Sequence, residues 1–470
     1  MKHPMILAAL GGALGYYGPV GSDRRWIILL LLPILFFITL GRCPAWFWRN
    51  PLGIREIRTL TGCLAGLFFG CCLGLRAGNL EPVRLGLPET SVLGVQGILQ
   101  DDPRSLRYGR GRGTLRLTAA VGPGGLRTSA SGLVMLNFPE EAIPRLKTFG
   151  RGSEVYVECR EFRVQGVHVL VPGPKLEQFR TDLRSKGTAR FSGTPWGGLA
   201  LALLLGVSEA LEADLAASYR RAGCAHILAL SGMHLAVLAG FLALLLKKPL
   251  GVKPAGVIGL VCIGFYVYLA GALPSLHRAA FMYSLGVLGV LTLLRLPPMS
   301  LLSGAFLIQL CLEPESGRSI SFILSYLSLG GIVTVGEFLY GCFRGYIPDW
   351  ILRPVTGSLG AFIITAPAGA LFFGTLRPGG IIGGLIIAPG TMVFMLGALV
   401  FLAAGAYFPF IGDFLALMYA ILEGMTALCG EVPGISARPG VVLGVVLGIC
   451  GILGILKYFG RRKDYAPFAV

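Results

Sequence analysis

The sequence predicts a polytopic α-helical membrane protein of about 10–12 transmembrane helices, with a small antiparallel β-barrel inserted after the first few. Three observations predict it. Of 470 residues, 54% are hydrophobic and only 14% charged, with a mean hydropathy of +0.72. A soluble domain carries about 25% charged residues, so this chain cannot coat a water-facing surface of its size. Apolar runs of helical length recur along most of the chain. One long stretch, Arg76 to Arg190, has no such run and is dense in charge. A soluble enzyme is excluded, and so is a disordered chain, which would be poor in apolar residues.

Taken in order, residues 1–78 hold three apolar runs: Met5–Tyr17, Trp26–Leu40 and Leu60–Leu75. The first two are short for a hydrocarbon core of about 30 Å. No small-residue cleavage site follows the first, which is expected to stay as an anchor. Gly62, Gly66, Gly70 and Gly74 repeat every fourth residue of the third run. That spacing bares one helix face for close approach of another helix.

Residues 79–175 read as an extramembrane domain. Segments Ser91–Leu99, Thr114–Val121, Ser131–Phe138, Glu154–Arg160 and Gly166–Val171 are rich in Val, Leu and Thr and bounded by Gly and Pro. Five such strands predict a small antiparallel barrel. Its first long connection, Pro103–Arg112, is expected to be a loop. Residues 176–223 read as a linker ending in an amphipathic helix, with Val207, Leu211, Leu215 and Tyr219 recurring every fourth residue. Such a helix suits the membrane surface.

Nine further runs fill residues 224–460: Ala225–Leu246, Ala255–Gly271, Ala279–Leu294, Ser300–Leu312, Ile320–Tyr340, Val355–Phe373, Gly380–Ala404, Phe414–Leu428 and Val441–Phe459. Ser300–Leu312 and Phe414–Leu428 are short, so both crossing and re-entrant forms stay open. Residues 461–470 form a basic tail.

The net charge is +17, and +7 of it falls between Arg76 and Arg190. Elsewhere, Arg42, Arg49, Arg55 and Arg58 cluster, as do Lys247, Lys248 and Lys253, and then Arg461, Arg462 and Lys463. Cytoplasmic loops carry the excess of Lys and Arg. Placing all three clusters inside puts both termini in the cytoplasm and the β domain outside. The eleven Cys form no CxxC pair, and most, such as Cys63, Cys71, Cys72, Cys262 and Cys450, lie in apolar runs as small hydrophobes. No metal or cofactor is expected.

Polar chemistry concentrates in two motifs. His226 to His234 reads HILALSGMH, and Tyr268 to Ala279 reads YLAGALPSLHRA. His226 and His234, eight residues apart, can share a face of a continuous helix. Ser231-Gly232 and Pro274-Ser275 weaken the helices that carry them. Broken helices persist at membrane depth only where buried in protein or lining a wet cavity. A central Arg or charged His costs at least about 2.5–3.5 kcal/mol unless so placed. His226, Ser231, Gly232, His234, Pro274, Ser275, His277 and Arg278 are therefore the candidate translocation pathway. The bland alternative places His226 and Arg278 at the outer interface, snorkelling. Glu337 and Glu423 lie near helix ends and are weaker candidates.

These motifs resemble the ComEC competence family, inner-membrane channels for DNA uptake in natural transformation. The resemblance rests on HILALSGMH with Gly223 and the preceding amphipathic segment, on YLAGALPSLHRA, and on Pro314 followed by SISFILSYLSLGGI (Ser319–Ile332). It extends from Ser91 to Leu399. The β domain is similar to the family's OB-fold, with Phe149–Val155 as the turn into a late strand. The resemblance implies import of single-stranded DNA across the cytoplasmic membrane. It also implies an extracytoplasmic DNA receptor, a separate nuclease and a cytoplasmic ATPase or single-strand-binding protein as partners; membrane lipid surrounds the channel, and a homo-oligomer stays open.

OB-folds bind single strands by a basic groove with stacking aromatics. Arg104, Arg107, Tyr108, Arg110, Arg112 and Arg116 have that composition, and an ordinary basic loop is the alternative. Many family members carry a C-terminal metallo-β-lactamase-like domain. Here the chain stops soon after its last apolar run, no HxHxDH motif occurs, and a short form without nuclease is expected. No GxxxxGK[ST] phosphate loop occurs either, so the expected channel has no motor of its own. Two other readings stay open. One is an intramembrane hydrolase using Ser231 as nucleophile and His234 as base. The other is a related transporter of a non-DNA substrate.

Overall fold

The strands of the charged region form one antiparallel sheet. The computed structural model describes residues 83–463, apart from 89–90, 103, 107–109, 140, 144–145, 147–149, 161–162, 272 and 406. The three N-terminal runs, with Gly62, Gly66, Gly70 and Gly74, lie outside the described residues. The sheet contains β1 (Arg84–Leu85), β2 (Gly94–Leu99), β3 (Arg104–Leu106), β4 (Arg110–Val121), β5 (Arg127–Ser131), β6 (Leu133–Pro139), β7 (Glu154–Arg160) and β8 (Arg163–Val171). Their order is β1-β5-β4-β2-β7-β8, and β3 and β6 also pair with β4. Among the described residues no ladder joins β8 back to β1 or β6, so the sheet is antiparallel without a shown barrel closure.

The two-residue alternation of β4 explains its burial. Leu115 and Leu117 point into a core with Val95, Leu99, Phe138, Val155 and Val157. Arg112, Arg116 and Thr118 point to water. The expected Pro103–Arg112 loop is instead a hairpin, with Arg104 opposite Arg112 and Leu106 opposite Arg110. Glycines and arginines dense enough to read as a loop sit here in a strand. Gly113 leaves space for the Phe138 ring, which would stand 2.9 Å from a Cβ there.

Residues 176–223 are not a simple linker. They hold α1 (Lys175–Phe191), α2 (Gly197–Leu205) and α3 (Ala213–Arg221). Every α2 residue except Gly198 is buried, against Ile387, Phe394 and Met395. The amphipathic helix is shorter than expected and starts at Ala213; Leu215 and Tyr219 are its buried stripe.

The nine downstream apolar runs become nine helices after the short α4 (Ala225–Leu228). These are α5 (Gly232–Leu250), α6 (Val252–Ala270), α7 (Pro274–Leu291), α8 (Pro298–Leu312), α9 (Ile320–Phe343), α10 (Asp349–Phe373), α11 (Gly379–Ala404), α12 (Phe410–Gly430) and α13 (Pro439–Lys463). Six are long and apolar enough to cross a membrane: α5, α6, α9, α10, α11 and α12. The Phe414–Leu428 run thus extends to crossing length, whereas the Ser300–Leu312 run stays short. Small residues allow a close approach between α9 and α10. A Cβ on Gly360 would lie 2.5 Å from the Gly336 backbone nitrogen. A π turn at Ile332–Gly336 interrupts α9 at that crossing.

Candidate functional site

The run beginning at Ala225 breaks where serine and glycine weaken it. After α4 the chain is extended at Ala229 and Ser231, and α5 begins at Gly232. Ser231 is the N-cap, a position that favours serine. Its backbone N–H donates to His234 Nδ1 at 3.0 Å, and its Oγ lies 2.9 Å from the same nitrogen. An accepting Nδ1 puts the proton of a neutral ring on Nε2. That Nε2 is buried with no partner among the described residues. The break removes the shared face of a continuous helix: His226 is exposed on α4, whereas His234 is fully buried on α5.

A second break faces the first. Gly271 (φ 104°) ends α6, and Pro274 starts α7 at a position suited to its missing N–H. Ser275 Oγ donates to the Leu230 carbonyl at 2.9 Å, tying α7 to the turn before α5. Arg278 lies one turn on, against Gly232. A Cβ at residue 232 would stand 2.5 Å from Arg278 Nη2, so the bare glycine makes room for the guanidinium. Arg278 Nη1 donates to the Ser325 carbonyl of α9. Its guanidinium also sits 5.8 Å from the Tyr326 ring centroid, within cation–π range. Tyr326 donates to Gln309 Oε1 at 2.9 Å, and Gln309 Nε2 donates to the Pro274 carbonyl at 3.0 Å. The loop of contacts through α7, α9 and α8 therefore closes on itself.

The three sequence motifs thus meet at one place. Arg278 is 8% exposed, yet no carboxylate among the described residues pairs with it, and its Nε has no partner. His277 points elsewhere: its Nδ1 lies 2.7 Å from Glu313 Oε1. Sequence reasoning missed Gln309 and Glu313. Gln309 carried a signal, as the one amide in the Ser300–Leu312 run. Among the described residues no group of three His, Cys, Asp or Glu could hold a metal ion.

On the sheet, Arg112 and Arg116 share one exposed face. Arg112 Nε donates to Asn137 Oδ1 at 3.4 Å, and Arg116 sits opposite Leu133. Exposed Met135 lies between them across the β4–β6 ladder. Arg104 and Arg110 take their places in the hairpin backbone, and Arg107 and Tyr108 lie outside the described residues.

Helix α1 joins the sheet to the motif region, and nothing in its pattern announced this. Arg180 is 1% exposed. Its Nη2 lies 2.6 Å from Asp102 Oδ2, its Nη1 3.1 Å from Glu177 Oε2, and its Nε donates to the Leu269 carbonyl at 3.3 Å. Arg184 Nη1 donates to the carbonyls of Leu269 at 2.8 Å and Ala270 at 3.0 Å. Burial opposes ionisation of Asp102, but the hydrogen bonds and charge of Arg180 outweigh it and hold the carboxyl below its usual value.

Comparison with known proteins follows the same segments. The Competence protein family model matches residues 203–462. ComE operon protein 3 of Bacillus subtilis (strain 168) is 29% identical over 134 residues, 27% of this chain and 17% of that protein. An uncharacterized protein of Aquifex aeolicus (strain VF5) is 29% identical over 201 residues, 42% of this chain and 46% of that protein. The chain therefore matches less than half the length of each of these relatives. No solved structure matches. With more than half of its length matched, and with the matched segment containing both broken helices, the chain belongs to the Competence protein family.

Proposed function

We propose that this multi-pass membrane protein passes single-stranded DNA inward across the cytoplasmic membrane during natural transformation. The observation that carries the reading is Arg278, a buried cation paired with no carboxylate among the described residues, standing where three motifs converge on two broken helices. A buried carboxylate would have neutralised it. Left uncompensated, it offers its charge to an anion, and the strand supplies one per nucleotide. Ser231, Gly232, His234, Pro274 and Ser275 make up the rest of this pathway, with exposed His226 beside it and His277 turned towards Glu313. The exposed face of Arg112 and Arg116, with Met135 between, receives the strand outside. Both termini lie in the cytoplasm in this reading.

In this reading the membrane unit acts as a channel and does not itself drive the strand. Inward movement of each negative charge against an inside-negative potential costs about 2.3 kcal/mol per 100 mV. A cytoplasmic ATPase or strand-binding protein supplies that work, and an extracytoplasmic receptor and separate nuclease supply the strand. The test replaces the native importer of a transformable host with this chain. DNase-protected DNA is expected to appear with it and to vanish without it; equal amounts in both strains would refute the reading.

One distance favours a second reading, the 2.9 Å between Ser231 Oγ and His234 Nδ1. A serine hydrolase needs that pair. Here the same Nδ1 already accepts the Ser231 backbone N–H, as a helix cap does. A fluorophosphonate probe is expected to leave Ser231 unlabelled; labelling abolished by Ser231→Ala would favour the hydrolase.

A further inference from the structure

Helix α1 is anchored at both ends of one contact. Towards the sheet, Arg151 Nη2 lies 2.7 Å from Glu177 Oε1, and a Cβ on Gly150 would stand 2.9 Å from Thr181 Oγ1. Towards the membrane unit, Tyr268 donates to the Leu176 carbonyl, and Arg184 holds the last carbonyls of α6. Arg180 is where both sides meet in one side chain. Its fork takes Asp102, just past β2, and its Nε takes the Leu269 carbonyl at the end of α6. Gly271 completes the fit, since a Cβ there would stand 2.9 Å from Arg180 Nη2. Pro274, Ser275 and Arg278 follow Gly271 within seven residues of sequence.

Two physical facts make this contact specific. A fully buried Arg is rare unless paired, and a guanidinium presents its donors in a rigid fork that a Lys cannot copy. The last turn of a helix leaves its carbonyls without intrahelical donors. Arg180 and Arg184 supply those donors from a helix that is itself fixed to the sheet. The end of α6, and hence the start of α7, is therefore held relative to the β unit rather than only by its own membrane neighbours.

We propose that Arg180, held by Asp102, is a positioning residue that ties the β unit to the turn before α7 and so sets the aim of Ser275 and Arg278. Its consequence for transport rests on the DNA-uptake reading above; the positioning itself does not. The strand-receiving face and the pathway motif are then one mechanical unit, and loosening the tie separates capture from passage.

The test uses the full chain, first in lipid nanodiscs by hydrogen exchange and then in transforming cells. In Asp102→Asn the amides of Gly271, Leu276 and His277 are expected to exchange at least fivefold faster, with the β4 and α11 amides unchanged. Asp102→Glu is expected to stay within twofold of wild type, and Arg180→Lys, which keeps charge but loses the fork, to show at least a threefold rise. In cells, Asp102→Asn is expected to lower DNase-protected DNA per chain at least tenfold while surface-bound DNA stays within twofold. Unchanged exchange at the three amides would overturn the proposal, as would normal protected DNA per Asp102→Asn chain in a host where the wild type imports. Exchange rising everywhere, with bound and protected DNA falling together as chain abundance falls, would also overturn it by showing a merely structural role. Faster local exchange in a chain whose wild type imports nothing would support the positioning and refute the DNA reading.

Discussion

Two buried arginines, about equally hidden from solvent, sit in opposite electrostatic settings. Arg180 at the junction of sheet and helices is 1% exposed and faces two carboxylates, Asp102 and Glu177. Arg278 at the meeting of the broken helices is 8% exposed and faces a carbonyl and a tyrosine ring. Burying a charge costs several kcal/mol unless it is paired and hydrogen-bonded. The first site meets that condition, as a part that only has to hold does. The second leaves it partly unmet, and natural proteins keep such a cost where function needs it. This difference is what motivates the proposal that Arg180 is a tie and Arg278 a working site.

The largest effect that would sharpen this contrast is on stability. Arg180→Met strands Asp102, while Glu177 keeps Arg151, and is expected to cost about 3 kcal/mol, the low end for breaking a buried pair. The low end applies because a third of the Asp102 side chain remains in water. Arg278→Met removes an uncompensated cation and is expected to leave thermal stability in detergent unchanged or higher. Equal losses in the two variants would erase the distinction.

A smaller effect is in pH. The carboxyl of Asp102 is held below its ordinary value, so its contribution is complete above about pH 3.9 and is lost only as pH falls through the lower native value. The stability difference between wild type and Asp102→Asn should therefore stay constant from about pH 8 to pH 5 and shrink below about pH 4. A difference already shrinking near pH 6 would contradict that assignment. The smallest effect is on the sheet. Arg112→Gln and Arg116→Gln should each weaken single-strand binding modestly and lower the salt-dependence slope by about 1. An unchanged slope would remove these residues from the strand-receiving face.

Much of the membrane unit was legible in the sequence because its signal is local. Nine apolar runs became nine helices, and Ser231-Gly232 and Pro274 marked where helices begin. What stayed hidden depended on distant pairing. Asp102 and Arg180 are 78 residues apart, one beside an Arg-rich segment and the other in what reads as a linker. Nothing in either neighbourhood names its partner. The Pro103–Arg112 segment read as a loop because Gly is depleted in strands, yet pairing with β6 carries Gly111 and Gly113 into the sheet. Helix α2 was missed because a nine-residue apolar helix is too short to register as a span, although burial on nearly every side makes it core. The site itself was half visible. Its motifs were named, but the facing of Arg278 to Gly232 needs the fold.

The central claim is that Arg278 holds an available charge for a passing anion. Its most direct test is DNase-protected uptake by Arg278→Gln and Arg278→Lys chains, measured per chain alongside wild type. A loss of at least a hundredfold is expected in Arg278→Gln, with Arg278→Lys retaining part of the activity and chain abundance unchanged in both. Wild-type uptake by a stable Arg278→Gln chain would contradict it.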